Sequence, residues 1–249
     1  MTPPIKKRFG LLGRNINYSF SKGYFTEKFE NEKLVGYTYE NFDIPNIESF
    51  LAVIKNNDYL SGMNVTIPYK EEVIPFLDKL SKKAIKIGAV NTIRFTKKGK
   101  LKGYNTDYYG FQKSLEPLLE SHHKKALILG TGGASKGVAF ALNELGIEYA
   151  FVSRQASETV LGYNQITDLI FDEYQIVINS TPVGTSPNTE AYPEIPYEFF
   201  TKKHIAYDLI YNPAETQFLK KAQHQGAITK NGMDMLIFQA EKAWKIWNK

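Results

Sequence analysis

The chain has 249 residues, 43% apolar and 23% charged, with a formal net charge of +5, a balance that excludes a disordered or collagen-like chain. The absence of cysteine excludes a disulfide framework, a thiolate metal site and a Cys nucleophile, and fits a reducing cytoplasm. No apolar run approaches the roughly 18 residues of a membrane helix. The lysines stand in short pairs such as Lys82 and Lys83, which read as solvated helix faces rather than a nucleic-acid surface.

In chain order, the basic N-terminus runs straight into the short strand FGLLG, so no signal peptide is expected. A helix near Lys22 to Leu34 follows, then a strand YTYENF, a helix IESFLAVIKNN, a strand GMNVTIP, a helical stretch after Lys70 and a strand AVNTIRF. Strands alternating with helices argue for βαβ units and a largely parallel sheet. The alternation restarts after residue 108. There YYGFQKSLEPLLE reads as a helix, and KKALILG as a strand apolar enough to be buried on both faces. Further strands are expected at EYAFVSR, YQIVINS, HIAYDLIY and AITKN, and MLIFQAEKAWKIW has helical spacing. The expected fold class is α/β, and the motif layout places a boundary near residue 108.

Strand KALIL leads into GTGGASKG and then into the helical run VAFALNELG. Glycines at such a turn let backbone N–H groups approach a pyrophosphate at the positive end of a helix. Gly130, Thr131, Gly132, Gly133, Ala134 and Ser135 are therefore candidate cofactor residues, with the small Ser135 at the third glycine position of the usual pattern. About twenty residues on, a NAD-specific unit presents an acid to the ribose. This chain presents Ser153, Arg154 and Gln155 there, and the guanidinium favours the 2′-phosphate of NADP. An arginine at a strand end is also often simply solvated, and no second basic residue follows in ASE.

A Rossmann loop identifies a cofactor and not a reaction. The first half of the chain carries polar clusters YSFSK (Tyr18 to Lys22), NVTIPYK (Asn64 to Lys70), GAVNT (Gly88 to Thr92) and GYNTD (Gly103 to Asp107). Each is expected at the C-terminal end of a strand or in the loop after it, where open parallel sheets bind ligands. Taken singly, Ser19 and Ser21 also suit helix capping, Asn64, Asn91 and Asn105 suit turns, and Lys70 suits the surface.

In that order and ahead of a Rossmann unit, these clusters resemble the shikimate dehydrogenase family over nearly the whole chain. The likeness extends to N-S-T-P-V-G at Asn179 to Gly184, Y-N-P with Thr216 following, and G-M-D-M-L-I-F-Q at Gly232 to Gln239. It implies NADPH-dependent reduction of 3-dehydroshikimate to shikimate, in chorismate and aromatic amino acid biosynthesis. Ser19 and Ser21 would hold the substrate carboxylate, with Thr66, Asn91, Tyr211 and Gln239 completing the pocket. Lys70 and Asp107 would be the catalytic pair, and Thr181, Leu209 and Gly232 would join the cofactor residues. The likeness also implies two domains: residues 1–108 as a substrate domain with a mainly parallel sheet, on which the C-terminal helix over 234–249 packs back, and residues 109–233 as a Rossmann domain. The chain departs from the family at Tyr18, where His is usual, at Lys22, where Pro is usual, and at Gln155, where Thr is common.

Ketone reduction needs a hydride at carbon and a proton at oxygen. A lysine ammonium can stabilise the growing oxyanion and donate that proton, while a neighbouring carboxylate orients it and bonds a ring hydroxyl. No metal is required, and the four histidines show no ligand spacing. Small-molecule substrate, no nucleic acid, no membrane, and a monomer or homodimer in the cytoplasm complete the expectation. Rival readings are an NAD-using quinate/shikimate dehydrogenase and a catalytically silent dinucleotide-binding module.

Overall fold

The computed structural model describes residue 4, residues 6–16 and residues 19–249. The elements run β1 (Lys7–Gly13), α1 (Phe20–Asn31), β2 (Tyr37–Asp43), α2 (Phe50–Asn56), β3 (Leu60–Val65), β4 (Lys79–Leu80), α3 (Lys82–Ile87), β5 (Thr92–Phe95) and β6 (Leu101–Tyr104). They continue with α4 (Asp107–Leu115), β7 (Lys125–Leu129), α5 (Gly133–Glu144), β8 (Glu148–Ser153), β9 (Val160–Gly162) and α6 (Asp168–Glu173). The last are β10 (Ile176–Asn179), β11 (Ile205–Asp208), α7 (Gln217–His224), β12 (Ile228–Lys230) and α8 (Met233–Trp247). The chain divides into two compact units, one of Met1–Thr106 with Ala240–Lys249 and one of Asp107–Gln239.

The first unit is a six-stranded sheet in the order β2-β1-β3-β5-β6-β4. Strand β1 is parallel to β2 and β3, whereas β5 is antiparallel to both β3 and β6. Period-two alternation sorts the side chains of β1 between two cores. Leu12 joins Met63, Val65 and Ile93 on one face. Phe9 and Leu11 join Phe25, Tyr39, Ala243 and Trp247 on the other, so α1 and the last turns of α8 cover that face. There the rings of Phe9 and Trp247 lie 4.9 Å apart, those of Phe25 and Tyr39 stack at 4.7 Å, and the Trp247 indole donates to the Ile93 carbonyl at 3.0 Å. Burying each such ring contributes about 1.5–3 kcal/mol, which makes the C-terminal turns of α8 an integral part of this unit.

The second unit is a six-stranded sheet, wholly parallel, in the order β12-β11-β10-β7-β8-β9. Apart from Lys125 at the start of β7, its central strands are buried, as the apolar runs ALIL and IVI require. Strand order reverses between β7 and β10, which defines the topological switch point of a doubly wound sheet. Helix α4 packs through Phe111 against Tyr207, and Ser114 Oγ and Tyr207 Oη are 2.5 Å apart.

Several local expectations are corrected. The helical stretch expected after Lys70 is α3, which begins only at Lys82; before it the chain forms turns and one short 3-10 segment, Ile74–Phe76, where Pro75 restricts the residue before it and removes a backbone donor. The segment LKGY, with no strand signal of its own, is strand β6, hairpinned to β5 through Lys97, Lys98 and Gly99. Helix α5 starts at Gly133, inside the glycine run rather than after it. No helix among the described residues is long and apolar enough to cross a membrane.

Candidate active site

In the first unit, topology decides which loops meet. Leu12 pairs with Val65, Asn64 with Thr92, and Thr92 with Tyr104. The exits of β1, β3 and β6 and the entrance of β5 therefore share one sheet edge. GAVNT was expected after a strand but precedes β5, and it reaches the common edge because β5 runs the opposite way.

The loop after β1 is fastened by Asp43, whose carboxylate accepts from the backbone N–H of Asn15 at 2.9 Å and of Ile16 at 3.2 Å. This delivers Ser19 to the N-cap of α1, where its Oγ accepts from the Ser21 N–H at 3.2 Å. Capping uses a hydroxyl lone pair and leaves the hydroxyl proton for another acceptor. Ser19 thus caps the twelve-residue helix and keeps a hydroxyl donor beside its positive end. Ser21 is buried next to the Tyr39 phenol, which burial pushes well above its ordinary pKa. Tyr18, the departure preceding the pair, lies outside the described residues, and Lys22 is exposed.

The loop after β3 is tied at both ends. Thr66 N–H donates to the Leu12 carbonyl at 2.9 Å, and Val90 N–H donates to the Lys70 carbonyl at 2.7 Å. Tyr69 is buried, with its hydroxyl on the Ile44 carbonyl at 2.7 Å. Lys70 is consequently held by its backbone and by its neighbour's anchor, while its side chain is half exposed. Asn64 accepts from Tyr39 at 2.9 Å and donates to the Asn91 carbonyl at 3.2 Å. Asn91 Oδ1 in turn accepts from the Thr106 N–H at 2.6 Å. The structure thus brings Ser19, Ser21, Thr66, Lys70 and Asn91 to one edge. Asn64 is structural and lies within β3 rather than in a turn, and Asn105 holds the Ala89 carbonyl at 3.1 Å.

In the second unit, the loop after β7 is short. Gly130 has φ +103°, a conformation that L side chains rarely adopt, and its N–H donates to the Val152 carbonyl at 2.8 Å. Gly132 caps α5 with no side-chain bond and has open space where a Cβ would project. Ser135 is buried, its hydroxyl turned back to the Gly132 carbonyl at 2.6 Å. The exposed Thr131 and Gly132 and the first N–H groups of α5 fit a pyrophosphate. At the end of β8, Arg154 is exposed near the Tyr163 phenol, and Ser153 Oγ accepts from the Gln155 N–H at 3.4 Å.

Thr181 and Leu209 follow β10 and β11. Thr181 donates to Asn179 Oδ1 through both its N–H, at 3.1 Å, and its hydroxyl, at 2.7 Å. Gly232 abuts the Leu209 carbonyl so closely that a Cβ there would overlap it. Tyr211 is half exposed in the loop after β11, and Asp107 and Gln239, the first and last residues of this unit, are buried. The two proposed catalytic residues therefore come from different units, Lys70 from the first and Asp107 from the second. Among the described residues, no group of three His, Cys, Asp or Glu could hold a metal ion. Asp208, which no sequence motif marks, is fully buried and bonded to Asn179, Ile210 and Thr216.

Known proteins match this chain consistently. The family profile for the shikimate dehydrogenase substrate binding domain matches residues 11–93. A shikimate dehydrogenase (NADP(+)) of Methanosphaera stadtmanae is 37% identical over 257 residues, covering 96% of this chain and 90% of that protein. The crystal structure of shikimate dehydrogenase from Aquifex aeolicus matches with a TM-score of 0.85 at 34% identity, over 98% of this chain and 92% of that one. Shikimate 5-dehydrogenase from Thermus thermophilus, in complex with NADP(H) and shikimate, matches with a TM-score of 0.85 at 32% identity, over 97% of this chain and 93% of that one.

Proposed function

Because the chain belongs to the shikimate dehydrogenase family, we propose that it catalyses the reversible, NADPH-dependent reduction of 3-dehydroshikimate to shikimate on the route to chorismate and the aromatic amino acids. The observation that carries this reading is the edge of the first sheet. Two hydroxyls at a helix N-terminus, an amide, a threonine and a lysine gather there from loops far apart in sequence.

A cyclic polyol carboxylate needs those partners. Ser19 and Ser21 grip the carboxylate, aided by the N-terminal dipole of α1. Thr66 and Asn91, with Tyr211 and Gln239 of the second unit, bond the ring hydroxyls. Lys70 stabilises negative charge on the ring oxygen and passes it a proton, and Asp107 accepts from a ring hydroxyl. The glycine loop from Gly130 to Ser135 holds the pyrophosphate, Ser153 and Arg154 the 2′-phosphate, and Thr181, Leu209 and Gly232 the opposite half of the cofactor. When bound, NADPH supplies the hydride.

On this reading the enzyme works in the cytoplasm, as a monomer or homodimer with no nucleic-acid or membrane partner, in keeping with lysines dispersed along the chain. The test is the absorbance of reduced nicotinamide with shikimate or quinate and NADP⁺ or NAD⁺. Turnover of shikimate with NADP⁺ above all other pairs is expected. Preference for quinate with NAD⁺ would overturn it.

A further inference from the structure

Asp208, at the end of β11, has a fully buried carboxylate. Its Oδ1 accepts from Asn179 Nδ2 at 3.1 Å and from the Ile210 N–H at 3.0 Å, and its Oδ2 accepts from Thr216 Oγ at 2.6 Å. Asn179, at the end of β10, spends its Oδ1 on Thr181 and its Nδ2 also on the Val183 carbonyl at 3.3 Å. Thr181 Oγ accepts from the Val183 N–H at 3.2 Å. One carboxylate thus ties together the loop after β10, the loop after β11 and the cap of α7. Burial pushes its pKa up to about 6 against the opposing pull of these three donors, so the fold holds an ionisable group where a neutral one would be less costly.

The location gives this network its meaning. A dinucleotide on a doubly wound sheet lies across the switch point, here between β7 and β10, with its pyrophosphate at the loop after β7. Arg154 follows β8 on one side, so the adenosine half belongs over β8 and β9. The nicotinamide half then belongs over β10, β11 and β12, where Thr181 and Leu209 stand.

We infer that Asp208 is a positioning residue for the nicotinamide half of the cofactor site, fixing Thr181 through Asn179 and fixing Leu209 through the loop it anchors at Ile210 and Thr216. The inference rests on the dehydrogenase reading for the identity of the cofactor. It does not require Asp208 to touch cofactor or substrate.

The experiment compares Asp208→Ala, Asp208→Asn and wild type by calorimetric titration with NADP⁺ and with adenosine 2′,5′-bisphosphate, which carries the adenosine half alone, and by shikimate turnover. Asp208→Ala is expected to weaken NADP⁺ about tenfold, the loss of one well-placed contact, and to leave the bisphosphate unchanged. Its kcat should fall more than its KM for shikimate rises, since misplacement by about 1 Å can cost on the order of 100-fold in rate. Asp208→Asn should restore most of both, because an amide keeps the oxygen that Asn179 and Ile210 share and can donate to Thr216 Oγ. Should Asp208→Ala not fold, Thr216→Val, which removes one donor to the carboxylate, must show the same split between the two titrants. Parallel weakening of both titrants, or unchanged NADP⁺ binding and kcat, would overturn the inference. A wild type that ignores shikimate, with the split between titrants still seen in Asp208→Ala, would instead sink the substrate assignment alone.

Discussion

The two units solve one problem, gathering polar groups at a sheet edge, by opposite means. In the second unit every strand is parallel, so every loop after a strand reaches the same edge and one glycine run after β7 announces the site. In the first unit the antiparallel pairing of β5 brings two further segments, GAVNT and GYNTD, to the edge already reached by β1 and β3. A parallel sheet repeats one kind of loop, whereas a mixed sheet combines loops entering and leaving strands. The first arrangement suits an extended ligand lying along the edge, and the second suits a compact ring held from several directions.

The sharpest way to break that division of labour is to remove the proposed proton donor from the compact site. Lys70→Ala is expected to lower kcat by about 10² to 10⁴-fold with little change in substrate affinity, the signature of a lost acid-base group. The backbone clamp through Val90 and the Tyr69 anchor do not involve the ammonium, so the variant should fold normally. Near-normal turnover would remove Lys70 from the chemistry.

The double replacement Ser19→Ala and Ser21→Ala should act differently, raising KM for shikimate by roughly 10- to 100-fold, since hydroxyls on a carboxylate serve ground state and transition state alike. An analogue lacking the carboxylate should be affected much less. Equal losses for both substrates would show that only the capping role of Ser19 matters.

In the extended site, Arg154→Ala should raise KM for NADP⁺ by about 10- to 100-fold while leaving NAD⁺ nearly unchanged, the range for charge-assisted bonds to a phosphate. Because Arg154 is exposed, added salt should shrink the wild-type preference for NADP⁺. A preference indifferent to both salt and the substitution would place recognition of the 2′-phosphate elsewhere.

How far each unit could be read from sequence follows from the same contrast. Strands β7 and β10 were legible because burial on both faces demands unbroken apolar runs, and the loop between β7 and α5 because glycines there have few other uses. Of the β5–β6 hairpin only TIRF was legible, within AVNTIRF; LKGY is short, has a lysine and a glycine among its four residues and follows a Lys-Lys-Gly turn. With it went the reason why Asn91 and Thr106 meet. Lys70 was identified by its motif, but its support by Tyr69, Ile44 and Val90 depends on contacts between separate loops. Asp208 and Asn179 lie 29 residues apart and are joined only by the parallel register of β10 and β11. Periodicity reports which face a residue occupies; it does not report the partner across the sheet.

The smallest expected effect separates the units by acid sensitivity. All four histidines, His122, His123, His204 and His224, belong to the second unit, whereas both tryptophans, Trp244 and Trp247, belong to the first. His123 and His204 are buried and share one pattern. Nδ1 of each accepts a backbone N–H, from Glu120 at 2.8 Å and from Thr201 at 3.1 Å, so the ring proton sits on Nε2 and is given to the carbonyls of Lys203 and Phe171. A second proton would face an N–H group, and burial already holds both rings below their ordinary pKa. The unfolded chain then takes up protons first. The stability contributed by these rings is complete above an unfolded pKa of about 6.5 and declines as pH falls through it, by at most about 1.4 kcal/mol per ring for each pH unit. Asp208 opposes this, since a carboxyl pushed up to about 6 binds its proton in the fold before the unfolded chain does. Two rings against one carboxyl should leave the second unit less stable at pH 5.5 than at pH 7. Hydrogen exchange should therefore accelerate in β7, β10 and β11 as pH falls over that window, after correction for intrinsic rates, more than in β1 and β3. Tryptophan fluorescence, which reports the first unit alone, should lag behind circular dichroism. In the double variant His123→Asn and His204→Asn, whose side-chain oxygens can keep the Nδ1 acceptor role without titrating, the difference between pH 7 and pH 5.5 should flatten. An unchanged difference would assign the acid sensitivity to other groups.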